Sequence, residues 1–324
     1  MRRRPPGPAG IAARSLAALL LVLALAAATA GCGRSGAPPP GRAGPGVAAP
    51  RRIVSLAPSL TETLFALGLS GRVVGVDDYS VWPPEVAGKA RLGGLFNPNL
   101  EKMVSLRPDL AVLLPSEHDV AAKLQGLGIP SLIVATESLA DVERSFLAIA
   151  RRCGVTPAGE RLAASFRAGL APRPVAGAPR VMLSVGRQPG RLTGMLAAAG
   201  GTFLDELLGR LGGVNVFAGA ATRYPQVGME EVVARAPQVI LELRSEAAPP
   251  PVVAVLVDDW RQLPTVPAVG DGRIAVIAGD YVLVPGPRLP RLYRRMREAL
   301  LARAPASGAA GQGSGDPPPG APRP

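Results

Sequence analysis

The sequence specifies an α/β protein of two doubly wound lobes joined by a single bridging helix. Three observations carry this. Asn99–Leu114 (NLEKMVSLRPDLAVLL) is echoed by Gly228–Leu243 (GMEEVVARAPQVILEL), with Leu100 matching Met229, Glu101 matching Glu230, Val104 matching Val233 and Pro108 matching Pro237. Each copy reads as a short helix that proline ends, feeding a buried strand. The expected strands are continuous apolar runs rather than alternating ones, the pattern of a parallel sheet covered on both faces. Finally, the copies lie far enough apart for each to belong to its own lobe.

The elements follow in order. Residues 1–31 read as a signal peptide: Arg2–Arg4 and Arg14 precede the apolar run Ser15–Ala28, which is too short and wrongly flanked for a spanning helix. Ala30-Gly31-Cys32 resembles a bacterial lipobox, making Cys32 a lipidation candidate, although Thr29 departs from the usual leucine. Ordinary cleavage after Ala30 is the alternative. Residues 32–50 are Gly-, Pro- and Ala-rich and read as a flexible tether; residues 304–324 share that composition and read as a disordered tail.

The N-terminal lobe is expected over residues 51–138. Ile53–Leu56 is a strand, and S-L-T-E places Ser59 as helix N-cap with Glu62 completing a capping box. Val73–Val76, Leu110–Leu114 and Ser131–Val134 are further strands, and Asn99 caps the repeat helix. Residues 139–179 form the bridging segment. Ser138–Cys153 is helical, and Thr156 with Pro157 starts a helix through Leu170 that is the candidate bridge, before Pro172 and Pro174 intervene. Residues 180–303 repeat the grammar: strands Val181–Val185, Val214–Phe217, Val239–Leu243 and Ile274–Ile277, helices Phe203–Leu211 and Val252–Trp260, and a closing basic helix Leu289–Arg303.

Composition excludes several classes. The 324 residues are 48% hydrophobic but only 4% aromatic, and carry a formal charge of +12. Much of the arginine excess is terminal, and no groove-reading or base-stacking motif accompanies it, so nucleic acid is not an expected partner. One histidine and two cysteines cannot build a standard Cys–His metal site. Cys153 reads as a buried thiol. No G-x-S-x-G, P-loop or G-x-G-x-x-G signature is present, and nothing places Asp77, Asp78 or Glu117 around a substrate, so no enzyme is expected.

IVSLAPSLTETLFALG, VVGVDDYSVWPP, NLEKMVSLRPDLAVLL and RYPQVGMEEVVARAPQVILEL together resemble the periplasmic binding proteins of ABC importers for cobalamin, siderophores and haem. The likeness covers roughly Arg51–Arg303 and is greatest to the cobalamin-binding members. It implies a monomeric carrier without a cofactor of its own. Such a carrier holds a corrinoid in an inter-lobe cleft and delivers it to a permease with ATPase subunits; haem or a ferric siderophore is the alternative cargo. It also implies that Glu101 and Glu230 dock on permease arginines, two carboxylates registering on a pseudo-symmetric partner. Ligands of such sheets sit beyond the carboxyl ends of strands. The loops there supply Ser59, Tyr79, Phe96, Arg187, Tyr224, Asp280 and Tyr281 as candidate ligand-binding residues. Leu95 and Leu114 stand where the cobalamin binder has tryptophans, and Val284 where it has an arginine. His118, the one histidine, follows a strand near the expected cleft mouth and is a weaker candidate for axial ligation.

Overall fold

The computed structural model describes residues 48–94 and 97–302. The segment expected to be a signal peptide, Cys32, Phe96 and residues 304–324 lie outside them. Described residues are α/β throughout, with two mainly parallel sheets.

In the first lobe β1 (Ile53–Ser55) is followed by α1 (Pro58–Ala66), β2 (Val73–Val76), β3 (Ala90–Arg91), a hairpin of β4 (Gly93–Gly94) and β5 (Asn97–Pro98), and α2 (Leu100–Ser105). Next come β6 (Leu110–Leu113), α3 (His118–Gly126) and β7 (Ser131–Ile133). The main sheet runs β3-β2-β1-β6-β7 with every pairing parallel. Strand periodicity explains why these strands are apolar on both faces. Ile53, Leu110 and Val112 face one core with Leu60 and Leu64, whereas Val54, Ala111 and Leu113 face another with Met103 and Leu124. Each such side chain contributes about 1.5–3 kcal/mol by leaving water.

The connection between sheets is made by α4 (Leu139–Arg152), backed by α5 (Thr156–Gly169). Ser138 caps α4 by accepting from the Asp141 amide, and Asp141 returns a bond to the Ser138 amide. Leu139, Val142 and Phe146 of α4 are buried in the second lobe's core, while Ile149 and Ala150, one turn on, belong to the first lobe's. The two helices close tightly because Gly159 has no Cβ; one there would meet that of Ala150 at 2.4 Å. Phe146 meets Phe166 edge to face at 5.2 Å. Pro172 and Pro174 lie beyond α5 and do not interrupt the bridge; the Arg173 and Val175 amides instead bond to the carbonyls of Arg210 and Leu211.

The second lobe contains β8 (Arg180–Gly186), β9 (Met195–Ala197), α6 (Phe203–Arg210), β10 (Val214–Asn215), β11 (Gln226–Val227), α7 (Met229–Arg235), β12 (Val239–Arg244), α8 (Pro250–Asp258), α9 (Pro267–Gly270), β13 (Ile274–Ala278) and α10 (Leu289–Leu301). Its sheet is ordered β11-β9-β8-β12-β13, with β10 pairing β8. The contacts of β8 with β12 and of β12 with β13 are parallel, but β9 and β11 are antiparallel additions that the apolar pattern does not announce.

The sequence repeat is also a repeat of backbone. Met103 in α2 and Val232 in α7 are the buried anchors. Both helices end in a left-handed residue immediately before the matched proline, Arg107 at φ 45° and Ala236 at φ 43°. A left-handed residue stops the helix in each lobe, and proline then holds the exit extended.

Candidate functional site

The carboxyl ends of β1, β2, β6 and the turn after β7 meet a loop of the second lobe around a pocket of about 320 Å³. Ser59, Asp77, Tyr79, Leu114 and Thr136 line it from the first lobe, and Leu283, Val284 and Pro285 from the second. Two residues expected in the cleft, Ser59 and Tyr79, are therefore there.

Ser59 does not cap its helix. Ala57 is the N-cap and Pro58 the first residue, with no side-chain cap, so Ser59 sits inside the first turn and Glu62 is released for a different role. Tyr79 is 65% exposed, and its ring rests beside Gly94, where a Cβ would lie 3.5 Å from it. Below it Asp77 is buried. It accepts from the Tyr79 amide at 2.8 Å and from the Ser80 hydroxyl, and Thr61 Oγ1 lies 2.8 Å from Ser80 Oγ. Burial raises the Asp77 carboxyl above its ordinary value, against the lowering effect of these donors.

Tyr224 is 41% exposed on the loop leading into β11. Its neighbour Arg223 pairs across the lobes with Glu137, at 3.1 Å, next in sequence to the lining residue Thr136. Loss of solvent, and then the Glu137 carboxylate, push the Tyr224 phenol up.

Three candidates belong elsewhere. Arg187 is enclosed in the second lobe, its side chain 0% exposed. Its Nε donates to Glu242 at 2.5 Å, Nη1 to Asp259 at 2.6 Å and Nη2 to the Leu256 carbonyl at 2.6 Å, with its guanidinium 5.4 Å from the Trp260 ring centre. No donor group is left for a ligand. Tyr281 is buried, packed under Arg291 at 4.2 Å. Asp280 is held by Arg288 at 2.9 Å. The cause is common to all three: a polar residue just past a strand end is as easily turned into its own lobe as into the cleft. Phe96 lies outside the described residues, as does Cys32.

His118 is not at this pocket. It is exposed at the start of α3, 3.2 Å from Asp119, and borders a separate groove with Gln125, Ile129 and Ile133 along the β7 edge. Asp77, Thr136, Leu283 and Pro285 were not among the residues expected to line the cleft, the position of Asp77 and Thr136 after strands being the available signal, whereas Leu114 and Val284, which stand where the cobalamin binder has a tryptophan and an arginine, do line it. Among the described residues no group of three or more His, Cys, Asp or Glu could hold a metal.

Glu101 and Glu230 are exposed on the first turns of α2 and α7. Each has an exposed apolar neighbour one turn on, Val104 and Val233, both 39% exposed.

The chain matches the family of periplasmic binding proteins over residues 53–281 and belongs to it. The vitamin B12-binding protein of Vibrio cholerae serotype O1 is 31% identical over 199 residues, covering 58% of this chain and 69% of that one. The crystal structure of the periplasmic vitamin B12 binding protein of Vibrio cholerae superposes with a TM-score of 0.65 at 26% identity, over 78% of this chain and 96% of that one. The periplasmic heme-binding protein of Roseiflexus sp. RS-1 superposes as well, with a TM-score of 0.65 at 28% identity, over 77% and 97%. This is a binding protein of the extracytoplasmic space rather than an enzyme. No helix of the described residues is long and apolar enough to cross a membrane.

Proposed function

We propose that the chain is the solute-binding component of an ABC importer, capturing a corrinoid such as cobalamin between its lobes. The observation that carries the choice of cargo is the charge of the pocket. Among its lining residues only Asp77 is charged, and the rest are apolar or neutral. The nearby arginines are already matched: Arg223 by Glu137, Arg288 by Glu62 and Asp280, and Arg187 by Glu242 and Asp259. Arg91 donates to the carbonyls of Asp77 and Ser80. A ferric siderophore or the propionates of haem need free cations. A corrin ring edged with neutral amides instead needs apolar walls, aromatic faces and acceptors; Tyr79 and Asp77 line the pocket, and Tyr224, outside its lining, stands on the neighbouring loop beside the Arg223–Glu137 contact.

Visible absorption after mixing with cyanocobalamin and desalting tests this, with haem in parallel. Corrinoid bands are expected to be retained; a Soret band with haem alone would transfer the reading to haem, with the exposed phenol of Tyr79 as the group to examine. Tyr79→Ala and Tyr224→Ala are each expected to weaken corrinoid binding about tenfold, the loss of one aromatic contact of roughly 1.4 kcal/mol. Unchanged affinity in both would remove the tyrosines from the site.

Docking on the permease falls to Glu101 and Glu230. Their matched placement, each beside an exposed valine one turn on, supports one contact point per lobe. Glu101→Ala with Glu230→Ala is expected to leave ligand affinity unchanged while lowering uptake in permease-containing proteoliposomes by about tenfold or more. Wild-type uptake by the double variant would refute this role. Lipidation of Cys32 would anchor the carrier beside the permease, and mass spectrometry of the mature N-terminus decides it.

A further inference from the structure

We propose that Glu62 and Arg288 form a clamp across the lobes that sets the opening of the cleft, making both positioning residues for ligand capture. The inference rests on the cleft reading above.

Glu62 belongs to α1 of the first lobe, and Arg288 immediately precedes α10 of the second. Their contact is a two-point fork: Nε donates to Oε2 at 2.9 Å and Nη2 to Oε1 at 2.5 Å. The remaining nitrogen, Nη1, donates to Asp280 Oδ1 at 2.9 Å, and Nη2 also reaches the Asp280 carbonyl at 3.2 Å. The guanidinium lies 5.0 Å from the ring centre of Trp82 in the first lobe and 5.9 Å from that of Tyr281 in the second. One side chain is thus gripped by both lobes at once. Its fork geometry fixes orientation as well as distance, which a lysine cannot do.

The clamp bears directly on the pocket. Leu283, Val284 and Pro285, its wall from the second lobe, lie on the strap between Asp280 and Arg288. Gly286 brings that strap against α1: a Cβ there would be 3.5 Å from the Ser59 Cα and 3.6 Å from Glu62 Oε2. Any change in the angle between lobes must either break the Glu62–Arg288 fork or drag the strap off the Ser59 turn. The pair is nearly enclosed, with side chains 13% and 4% exposed, so solvent does not screen it as it does the Arg223–Glu137 contact. The other enclosed ion pairs described, Arg187–Glu242 and Arg187–Asp259, lie within one lobe and cannot act in this way.

The test uses the full chain with Cys32→Ser, Cys153 being buried, and nitroxides at Lys123→Cys and Glu246→Cys, one exposed site in each lobe. Pulsed electron–electron resonance reads the lobe-to-lobe distance, and cyanocobalamin is the ligand probe. Arg288→Lys keeps the charge and loses the fork; Glu62→Gln with Arg288→Met leaves no enclosed charge unpaired, Asp280 being 37% exposed, and guards against simple misfolding. Both are expected to broaden the distance distribution of the free protein. They should also raise the cyanocobalamin Kd about tenfold, as the competent fraction falls to roughly a tenth, and saturating cyanocobalamin should restore the narrow distribution. A distribution identical to wild type in the folded double variant would overturn the clamp, whatever happens to stability. Failure of the parent protein to bind cyanocobalamin would instead refute the corrinoid reading, with the free-protein distances still deciding the clamp.

Discussion

Replacing Glu242 by alanine is expected to cost the fold about 3–5 kcal/mol, the usual penalty for leaving a buried charge without its partner. That corresponds to a melting temperature lower by roughly 10 °C for a chain of this size. Glu242 lies on β12 on the same face as Ile240, which packs with Met182 and Trp260. There it receives Arg187 Nε at 2.5 Å, Trp260 Nε1 at 2.8 Å and Ser184 Oγ at 3.1 Å. Alanine would strand the guanidinium and orphan the indole N–H, with only Asp259 left to answer the charge. The double change Glu242→Leu with Arg187→Met, made in an Asp259→Asn background so that no nearly buried carboxylate is stranded, removes the charges and is expected to recover most of the loss, because two well-packed apolar side chains avoid the desolvation that the pair has to overcome. The same double variant separates two roles for Arg187. If it folds and binds ligand like wild type, the arginine serves the lobe interior; a folded variant that has lost binding would return Arg187 to the cleft. Differential scanning calorimetry and ligand titration of the two variants give both answers.

This residue also shows where reading the sequence succeeds and where it stops. The parallel sheets were legible because runs such as Leu110–Leu113 and Val239–Leu243 leave no polar face, so each must be covered twice. The repeat was legible because helix, stop and strand recur in order, down to the left-handed residues Arg107 and Ala236 that no pattern of hydrophobicity reveals. A glutamate inside VILEL was itself a signal: a charge on a strand buried on both faces must have a partner. Which partner could not be read, since Arg187 lies 55 positions away. The strands Met195–Ala197 and Gln226–Val227 were missed because such short antiparallel strands carry too few residues for any period to show.

The candidate site divides along similar lines. Ser59 and Tyr79 lie on the pocket because strand order determines which loops open on it. Arg187, Asp280 and Tyr281 follow strands too, yet their side chains turn inward to Glu242, Arg288 and Arg291. Loop position is set by topology, but side-chain direction depends on long-range charge pairs. For the same reason S-L-T-E looked like a capping box: Glu62 has the right spacing, but Pro58 begins the helix two positions early and the Glu62 carboxylate is taken by Arg288.

Glu117 carries the second large effect, and it is one of pH. The residue is buried just past β6, with Oε2 accepting the Leu114 amide at 2.7 Å and Oε1 enclosed without a partner. Burial, opposed by that one donor and reinforced by the Asp77 carboxylate, pushes its pKa from 4.5 up to about 7. Because the folded state then holds the proton more tightly than the unfolded chain, stability is complete below about pH 4.5 and is lost as pH rises through 7. The loss approaches about 3 kcal/mol once the group is ionised in both states. Asp77 is raised in the same direction, chiefly by its own burial. Glu117→Gln keeps an acceptor for the Leu114 amide and abolishes the buried charge. The variant is expected to match wild type in urea unfolding at pH 4.5 and to exceed it by up to about 3 kcal/mol at pH 8. Taking the difference between the two proteins at each pH cancels every other titrating group, so a flat difference curve would show that Glu117 is ionised at no cost.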